Sequence, residues 1–297
     1  MITYRNGSPE DSYAVFSIFE ETFADLARRL GVTDPMSWDD AQELAQMWDE
    51  RHSLYEHLAN TAEHFWIAER DGELLGFARS ILREGLLELT EFFVRPGKQS
   101  SGVGRELMAR VFPREGAKRL NIIATTDLRA QARYLKAGVY PRFPIYYFGR
   151  EPEAVPVDTD LTFASLTSEH IERLAEVDRA VIGHRRDVDH RWLLSERQGY
   201  LYMRGDRAVG YGYAGKRNGP FALLDDHDFP AVLAHAENAA LGKWGHFGVE
   251  APMINRVAVD YLLSRGFRID PFIALFMSDA PFGKFENYVF TNPPFFM

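Results

Sequence analysis

The first hydrophobic period of the chain is helical. Phe16, Phe19, Phe23, Leu26 and Leu30 recur at three- to four-residue intervals, which gathers them on one helix face. Ahead of them Ser8-Pro9-Glu10-Asp11 supplies a cap residue, a proline suited to the first helical position and an acid three residues after the cap; Gly31 supplies the stop. Leu44, Met47, Trp48, Leu54 and Leu58 repeat the spacing and predict a second helix over 39–59. The pattern then shortens to that of strands. Segments 65–69 and 74–81 flank Asp71-Gly72, a hairpin turn signal. A third strand runs over 86–94 and ends at Pro96-Gly97, followed by a helix over 103–112, a short apolar strand over 120–124, a helix over 128–137 stopped by Gly138, and a strand over 145–148.

Residues 151–160 hold two prolines and four acids with no hydrophobic period, which reads as a linker. Beyond it the pattern starts again. Glu69 to Ala78 resembles Met203 to Gly212, aligning Gly76 with Gly210, and Tyr134-Leu-Lys-Ala-Gly138 resembles Leu262-Leu-Ser-Arg-Gly266. Two matches at nearly equal offsets predict a diverged duplication. The chain's 297 residues suit two domains.

Composition narrows the class. With 46% hydrophobic and 13% aromatic residues the chain can bury sizeable cores. It has no cysteine, which excludes disulfides, thiolate metal sites and a Cys nucleophile. A net charge of −9 argues against nucleic acid or an anionic membrane as partner and mildly favours cationic small molecules. No apolar run reaches the ~20 residues of a membrane span, and the first residues lack a secretory pattern. A cytoplasmic protein is expected.

The chemistry concentrates in Glu88-Leu-Thr-Glu91-Phe-Phe93-Val94-Arg-Pro-Gly-Lys-Gln99-Ser100-Ser101-Gly102-Val103-Gly104-Arg105. This is a strand, a glycine-bearing turn and a helix start, where backbone N–H groups and the positive helix end form an anion site. A P-loop would need Lys-Ser/Thr where Val103-Gly104 stand, and a dinucleotide fingerprint would need glycine where Leu107 stands. What fits is Gln/Arg-x-x-Gly-x-Gly/Ala after a strand. In that motif, and in the order of elements across 1–150, the chain resembles the GNAT N-acetyltransferase superfamily.

The resemblance implies an α/β (α+β) fold of two GNAT-like domains, each a mixed, mostly antiparallel central sheet flanked by helices. It implies an acetyl-CoA-binding domain at 1–150, a linker at 151–160, a degenerate copy at 161–280 and an aromatic tail at 281–297. The loop from Gln99 to Arg105 would hold the pyrophosphate of acetyl-CoA. The pantetheine arm would enter where the strand before the loop splays from the next, with N–H groups near Phe93 or Val94 facing the thioester oxygen. Tyr134 matches the family's proton-donating tyrosine, or packs against the cofactor without that role. Asp127 stands where the family often carries an asparagine beside the pantetheine. Strict alternation puts Leu87, Leu89, Glu91 and Phe93 on one face of the strand and Glu88, Thr90 and Phe92 on the other. Glu91 or Glu88 is the candidate base, or an ion-paired glutamate.

Other clusters are weaker. Asp225-Asp226-His227-Asp228 reads as a turn with a helix cap before it reads as a metal site, so no metal is expected. The segment His184 to His190 reads as a solvated charge run, or as a loop lining a cleft, and most of Trp38, Trp48, Trp66, Trp192 and Trp244 are expected in cores. The second copy lacks the glycine loop and has Leu262 in place of Tyr134, so one acetyl-CoA site is expected. The tail is expected to pack across the domains or in a homodimer. The resulting expectation is acetyl transfer to the amine of a small cationic molecule; the alternative is an acyl-CoA-binding sensor without turnover.

Overall fold

The computed structural model describes residues 1–32, 40–99 and 102–297; Trp38, Ser100 and Ser101 lie outside them. The chain forms two compact units, one of residues 1–122 and 127–139, the other of residues 123–126 and 140–297.

The first unit runs β1 (Thr3–Asn6), α1 (Ser12–Leu30), α2 (Ala41–Asn60), β2 (Ala62–Arg70), β3 (Glu73–Arg83), β4 (Leu86–Val94), α3 (Val103–Val111), β5 (Arg119–Ala124, its last two residues counted with the other unit) and α4 (Leu128–Lys136). Strands follow the order β1-β2-β3-β4-β5, antiparallel except for the parallel β4–β5 pair. The local signals act as expected. The Ser8 amide donates to Asp11 Oδ2 at 2.9 Å, although Pro9–Asp11 form a 3₁₀ turn before α1 begins. Gly31 ends α1 at φ 69°, and Asp71 and Gly72 turn the hairpin with φ of 52° and 81°. Val15, Phe16, Ile18 and Phe19 of α1 and Leu54, Tyr55 and Leu58 of α2 are buried. At roughly 1.5–3 kcal/mol for each large side chain, that burial fixes both helices.

One irregularity in β4 corrects the expected alternation. Glu88 lies opposite Ile81, Leu89 opposite Ser80 and Glu91 opposite Arg79, so Thr90 is an extra residue. Such a bulge reverses the parity of the strand. Directly opposed residues share a face, which puts Glu88, Glu91 and Phe93 together and Leu89 and Phe92 on the other side. The first face meets α1 and α2: the Arg79 guanidinium donates to the Tyr55 carbonyl at 2.9 Å, and Phe93 packs edge-on against Phe19 at 5.0 Å.

The second unit runs β6 (Tyr140–Arg150), β7 (Thr162–Ser165), α5 (Ile171–Val181), α6 (Asp187–Glu196), β8 (Gln198–Arg204), β9 (Arg207–Ala214), β10 (Phe221–Leu223), α7 (Phe229–Ala240), β11 (Phe247–Pro252), α8 (Arg256–Ser264), β12 (Arg268–Ser278) and β13 (Tyr288–Val289). It holds the ladder β12-β6-β11 and the sheet β13-β10-β9-β8-β7. The first compact unit therefore closes at Val139, short of the expected boundary at 150, because β6 is paired along both edges by β11 and β12. The aromatic tail, expected to pack across the domains or in a homodimer, has its residues 288–290 packed within the second unit. Tyr288, Val289 and Phe290 are fully buried; Val289 and Tyr288 pair with β10, and the Phe290 amide donates to the Glu250 carbonyl of β11 at 2.8 Å.

The duplicated positions do the same work in each unit. A Cβ on Gly76 would lie 2.5 Å from the Phe93 carbonyl oxygen, and one on Gly210 would lie 2.6 Å from the Ala222 carbonyl oxygen. Gly138 and Gly266 end α4 and α8 with φ of 82° and 76°, and the following amides reach back to Tyr134 and Leu262, each at 3.1 Å.

Candidate acyl-CoA site

The glycine turn is built around the start of α3. Gly102 caps the helix at φ 88°, a conformation that side-chain-bearing residues rarely adopt, and a Cβ there would meet open space. Its carbonyl accepts from the amides of Arg105 and Glu106 at 3.0 and 3.2 Å. The first-turn N–H groups of Val103 and Gly104 have no acceptor within the helix and point outward at its positive end. Gly104 answers a packing demand instead: a Cβ there would lie 3.1 Å from Phe92 Cζ and 3.3 Å from Arg133 Nε. Glycine thus lets α3 settle against β4 with the Arg133 guanidinium beside its N-terminus. Arg133 was not singled out from the sequence; its place one residue before Tyr134 on α4 was the available signal. Arg105 is largely solvent-exposed beside Glu106, at 3.5 Å.

The strand before the turn opens one backbone edge. The β4–β5 register runs from Leu86↔Arg119 to Leu89↔Ile122, whereas β4 continues to Val94. The Arg95 amide donates to the Leu75 carbonyl at 2.9 Å, so residues alternate from there: Phe93 turns its N–H towards β3, and Phe92 and Val94 turn theirs towards the side that β5 has left. Of the two expected oxyanion donors, Val94 is on the open edge and Phe93 is not. Gln99 holds the turn by donating from Nε2 to the Val94 carbonyl at 3.2 Å, which leaves the N–H of Val94 on that edge.

Tyr134 lies on α4 against Phe92, with ring centroids 6.1 Å apart, and is buried. Burial and the nearby Asp127 charge push its phenol well above the usual tyrosine range, so it stays protonated. Asp127 caps α4, accepting from the amides of Arg129 and Ala130 at 2.7 and 3.2 Å, and pairs with Arg29 at 2.7 Å. Its carboxylate is thereby committed to helix capping and to Arg29, which together hold its pKa below the ordinary value against the opposing pull of burial.

The two carboxylates of β4 are both inside the unit. Glu91 is bonded to the buried Arg79 guanidinium, which also lies over the rings of Phe65 and Tyr55 at 4.9 and 5.5 Å. Burial raises the Glu91 pKa, and Arg79 pulls it back without cancelling the rise. Glu88 accepts from Asn121 Nδ2 of β5 at 3.1 Å and is also buried. The structure gathers Val94, Gln99, Gly102, Val103, Gly104 and Tyr134 around the β4–α3 turn and gives Glu91 and Asp127 to ion pairs.

In the second unit the corresponding turn is different. The Leu224 amide bonds the Val209 carbonyl at 2.8 Å, as Arg95 bonds Leu75, but the chain enters a short 3₁₀ turn capped by Asp225 and then α7. Asp225, Asp226 and His227 gather there at the surface, with Asp225 accepting from the His227 amide. The segment His184 to His190 is not a solvated charge run, since His184, Arg186, Asp189 and His190 are buried. His190 bridges Asp178 at 2.9 Å and the Tyr213 hydroxyl at 2.8 Å, and Tyr211 donates to Asp178 at 2.5 Å. These bonds tie α5 and α6 to β9, which the local pattern of charges did not reveal. Among the tryptophans, Trp48, Trp66 and Trp192 are half-buried and Trp244 is exposed, contrary to the expected core placement. Among the described residues no helix is long and apolar enough to cross a membrane.

Residues 23–139 match the Acetyltransferase (GNAT) family model. No curated protein matches the chain significantly. Similar solved structures span both units. A provisionally assigned acetyltransferase of Pyrococcus horikoshii superposes with a TM-score of 0.74 at 13% identity, covering 97% of this chain and 92% of that one. A tandem GNAT protein from the clavulanic acid biosynthesis pathway gives 0.57 at 12%, covering 95% and 100%. A GCN5-related N-acetyltransferase from Sphaerobacter thermophilus gives 0.55 at 14%, covering 93% and 95%. The family match is confined to residues 23–139, in the N-terminal half, and across both units the chain shares the fold of these GNAT structures, a GNAT-like unit followed by a second mixed α/β unit.

Proposed function

We propose that the protein is an acetyl-CoA-dependent N-acetyltransferase with one cofactor site, at the β4–α3 turn, and a small cationic amine as acceptor. The observation that carries this reading is the conjunction of an open, left-handed Gly102 at the start of α3 with the unpaired edge of β4 at Val94. The α3 N-terminus and Arg133 receive the pyrophosphate. The Val94 N–H donates to the thioester oxygen as the amine adds to the carbonyl carbon and negative charge develops there. As the C–S bond breaks, the Tyr134 phenol donates a hydrogen bond to the leaving sulfur; its high pKa keeps the proton available as a donor. The amine must lose a proton in the same sequence. Glu91 is already neutralised by Arg79, so Glu88, water or solvent accepts it.

The second unit supports the count of one. The place where β4 parts from β5 corresponds to the gap between β10 and β11, and there Val289 and Phe290 of the chain's own tail bridge the two strands. The commitment of Glu91 to Arg79 also favours a second reading, an acyl-CoA-binding module without turnover. Calorimetric titration with acetyl-CoA, beside a Gly102→Glu variant, tests the site: near 1:1 binding lost in the variant supports it, and no binding to the parent protein overturns it. Thiol release in an amine screen then separates enzyme from sensor.

A further inference from the structure

In the second unit three polar side chains stand in a row across adjacent strands. Glu250 of β11 is the register partner of Tyr147 of β6, so the two share a face. On the other edge of β6, Phe148 pairs with Ile269 and Tyr146 with Ile273, which leaves residues 270–272 of β12 bulged opposite Tyr147. The bulge is pinned by Asp270, whose Oδ1 accepts from the Phe272 amide at 2.8 Å. The Tyr147 ring leans over Gly248, whose absent Cβ would lie 1.9 Å from the hydroxyl, and its hydroxyl meets His246 Nε2 at 2.8 Å. Asn292 also bonds Tyr147.

Glu250 is the anomaly. It is 9% exposed, yet no side chain or backbone group among the described residues hydrogen-bonds or ion-pairs its carboxyl group. A buried carboxylate without a partner is costly, and here the groups that face it are Asp270 and the Tyr147 phenol, neither of them a cation. Asp270 at one end of the row and His246 beside Tyr147 are exposed, while Glu250 at the other end is buried. The missing counterpart is a cation with its own hydrogen-bond donors. A metal ion suits the row poorly: among the described residues the only three-ligand convergence is Asp225, Asp226 and His227, and Glu250, Asp270 and His246 do not converge so closely. An ammonium group on a flexible chain does not need that convergence. It can donate to Glu250 and Tyr147 while a second positive centre reaches Asp270.

We infer that Glu250, Tyr147 and Asp270 form a binding site for an alkylammonium or polyamine group within the C-terminal unit. This extends the reading of the acceptor as a cationic amine, which it takes as its premise for function but not for binding. Burial and the Asp270 charge raise the Glu250 pKa to about 8, so at pH 7 the free site holds a proton that an arriving ammonium expels.

The test is calorimetry with spermidine and with n-butylamine at pH 7 and constant ionic strength, without acetyl-CoA, in buffers of different ionisation enthalpy. The expected result is binding accompanied by release of close to one proton, weakened at least tenfold in Glu250→Gln and absent for n-butanol. Glu250→Gln replaces an acid that is already neutral at pH 7, so its melting temperature should match the parent and report that it is folded. Three results would overturn the inference: no binding of either amine, equal binding by Glu250→Gln, or binding without proton release. Running the titration on Gly102→Glu as well separates the two readings, because loss of acetyl-CoA binding there should leave amine binding unchanged.

Discussion

Replacing Arg79 by methionine tests whether Glu91 is a structural partner or a base. The side chain of Arg79 is fully buried, and that of Glu91 is 2% exposed. Removing one member of such a pair leaves an uncompensated charge, which costs about 3–5 kcal/mol. Loss of the 2.9 Å bond to the Tyr55 carbonyl adds about 1 kcal/mol. The cost must also depend on pH. Glu91 is raised above its ordinary pKa even with Arg79 present, so without the guanidinium it rises further. A folded-state pKa above the unfolded one means that the native state binds more protons, and stability falls as pH climbs between the two values. Arg79→Met should therefore lose most of its stability near pH 8 and recover towards pH 5, by up to about 1.4 kcal/mol per unit where Glu91 titrates. Urea unfolding at both pH values measures this, and the double variant Arg79→Met/Glu91→Leu should regain most of the loss with thiol release intact. A loss in Arg79→Met below about 1 kcal/mol, or one equal at both pH values, would refute the reasoning. So would a double variant that is stable but inactive, since Glu91 would then be required by the chemistry.

Tyr134→Phe keeps the packing against Phe92 and removes only the donor, so kcat should fall at least about tenfold with acetyl-CoA affinity nearly unchanged; equal loss of both in thiol-release kinetics and calorimetry would make Tyr134 a packing residue. Gly104→Val forces a side chain into Phe92 and Arg133 and should cost about 1–3 kcal/mol while weakening acetyl-CoA binding, read by thermal shift with and without the cofactor. In the second unit, burial and Arg186 push His184 down to about 4. The native state then binds fewer protons than the unfolded one, so stability falls on acidification from about pH 6.5 to 4, by roughly 3 kcal/mol in all. His184→Gln should flatten that slope in urea melts.

The sequence carried the parts of the fold that depend on local chemistry. Gly31, Asp71-Gly72 and Gly138 mark turns because each needs a left-handed backbone, and the structure places positive φ at all four residues. The extent of β4 was legible from its apolar run, but its faces were not: a bulge at Thr90 is set by pairing with β3, and strict alternation puts Glu88 and Glu91 on opposite sides. The same limit hid Arg79. An arginine in the run Phe77-Ala-Arg-Ser-Ile looks like an edge charge until α2 brings the Tyr55 carbonyl to it. His184 to His190 reads as solvated for the same reason, since its partners Asp178, Tyr211 and Tyr213 come from other elements. Partners distant in sequence decide the environment of a charge, and a single chain without its contacts does not show them.

The two units show how one backbone device can take different occupants. In each, a glycine on the middle hairpin strand sits against the carbonyl of the next strand, Gly76 at Phe93 and Gly210 at Ala222. In each, the following amide closes the same bond, Arg95 to Leu75 and Leu224 to Val209. Past that point the sequences part. The first unit spends residues on a glycine turn that leaves a helix N-terminus and the edge of Val94 open. The second goes directly into Asp225, Asp226 and Asp228, whose negative charge would oppose a pyrophosphate at the same position. Its strand edge is not open either, because Tyr288 and Val289 pair with β10 and Phe290 bonds Glu250 of β11. An unpaired edge in a buried setting must find donors and acceptors somewhere. In the second unit the tail provides them, whereas in the first the edge at Val94 stays half-exposed, and under the proposed function the pantetheine arm takes it.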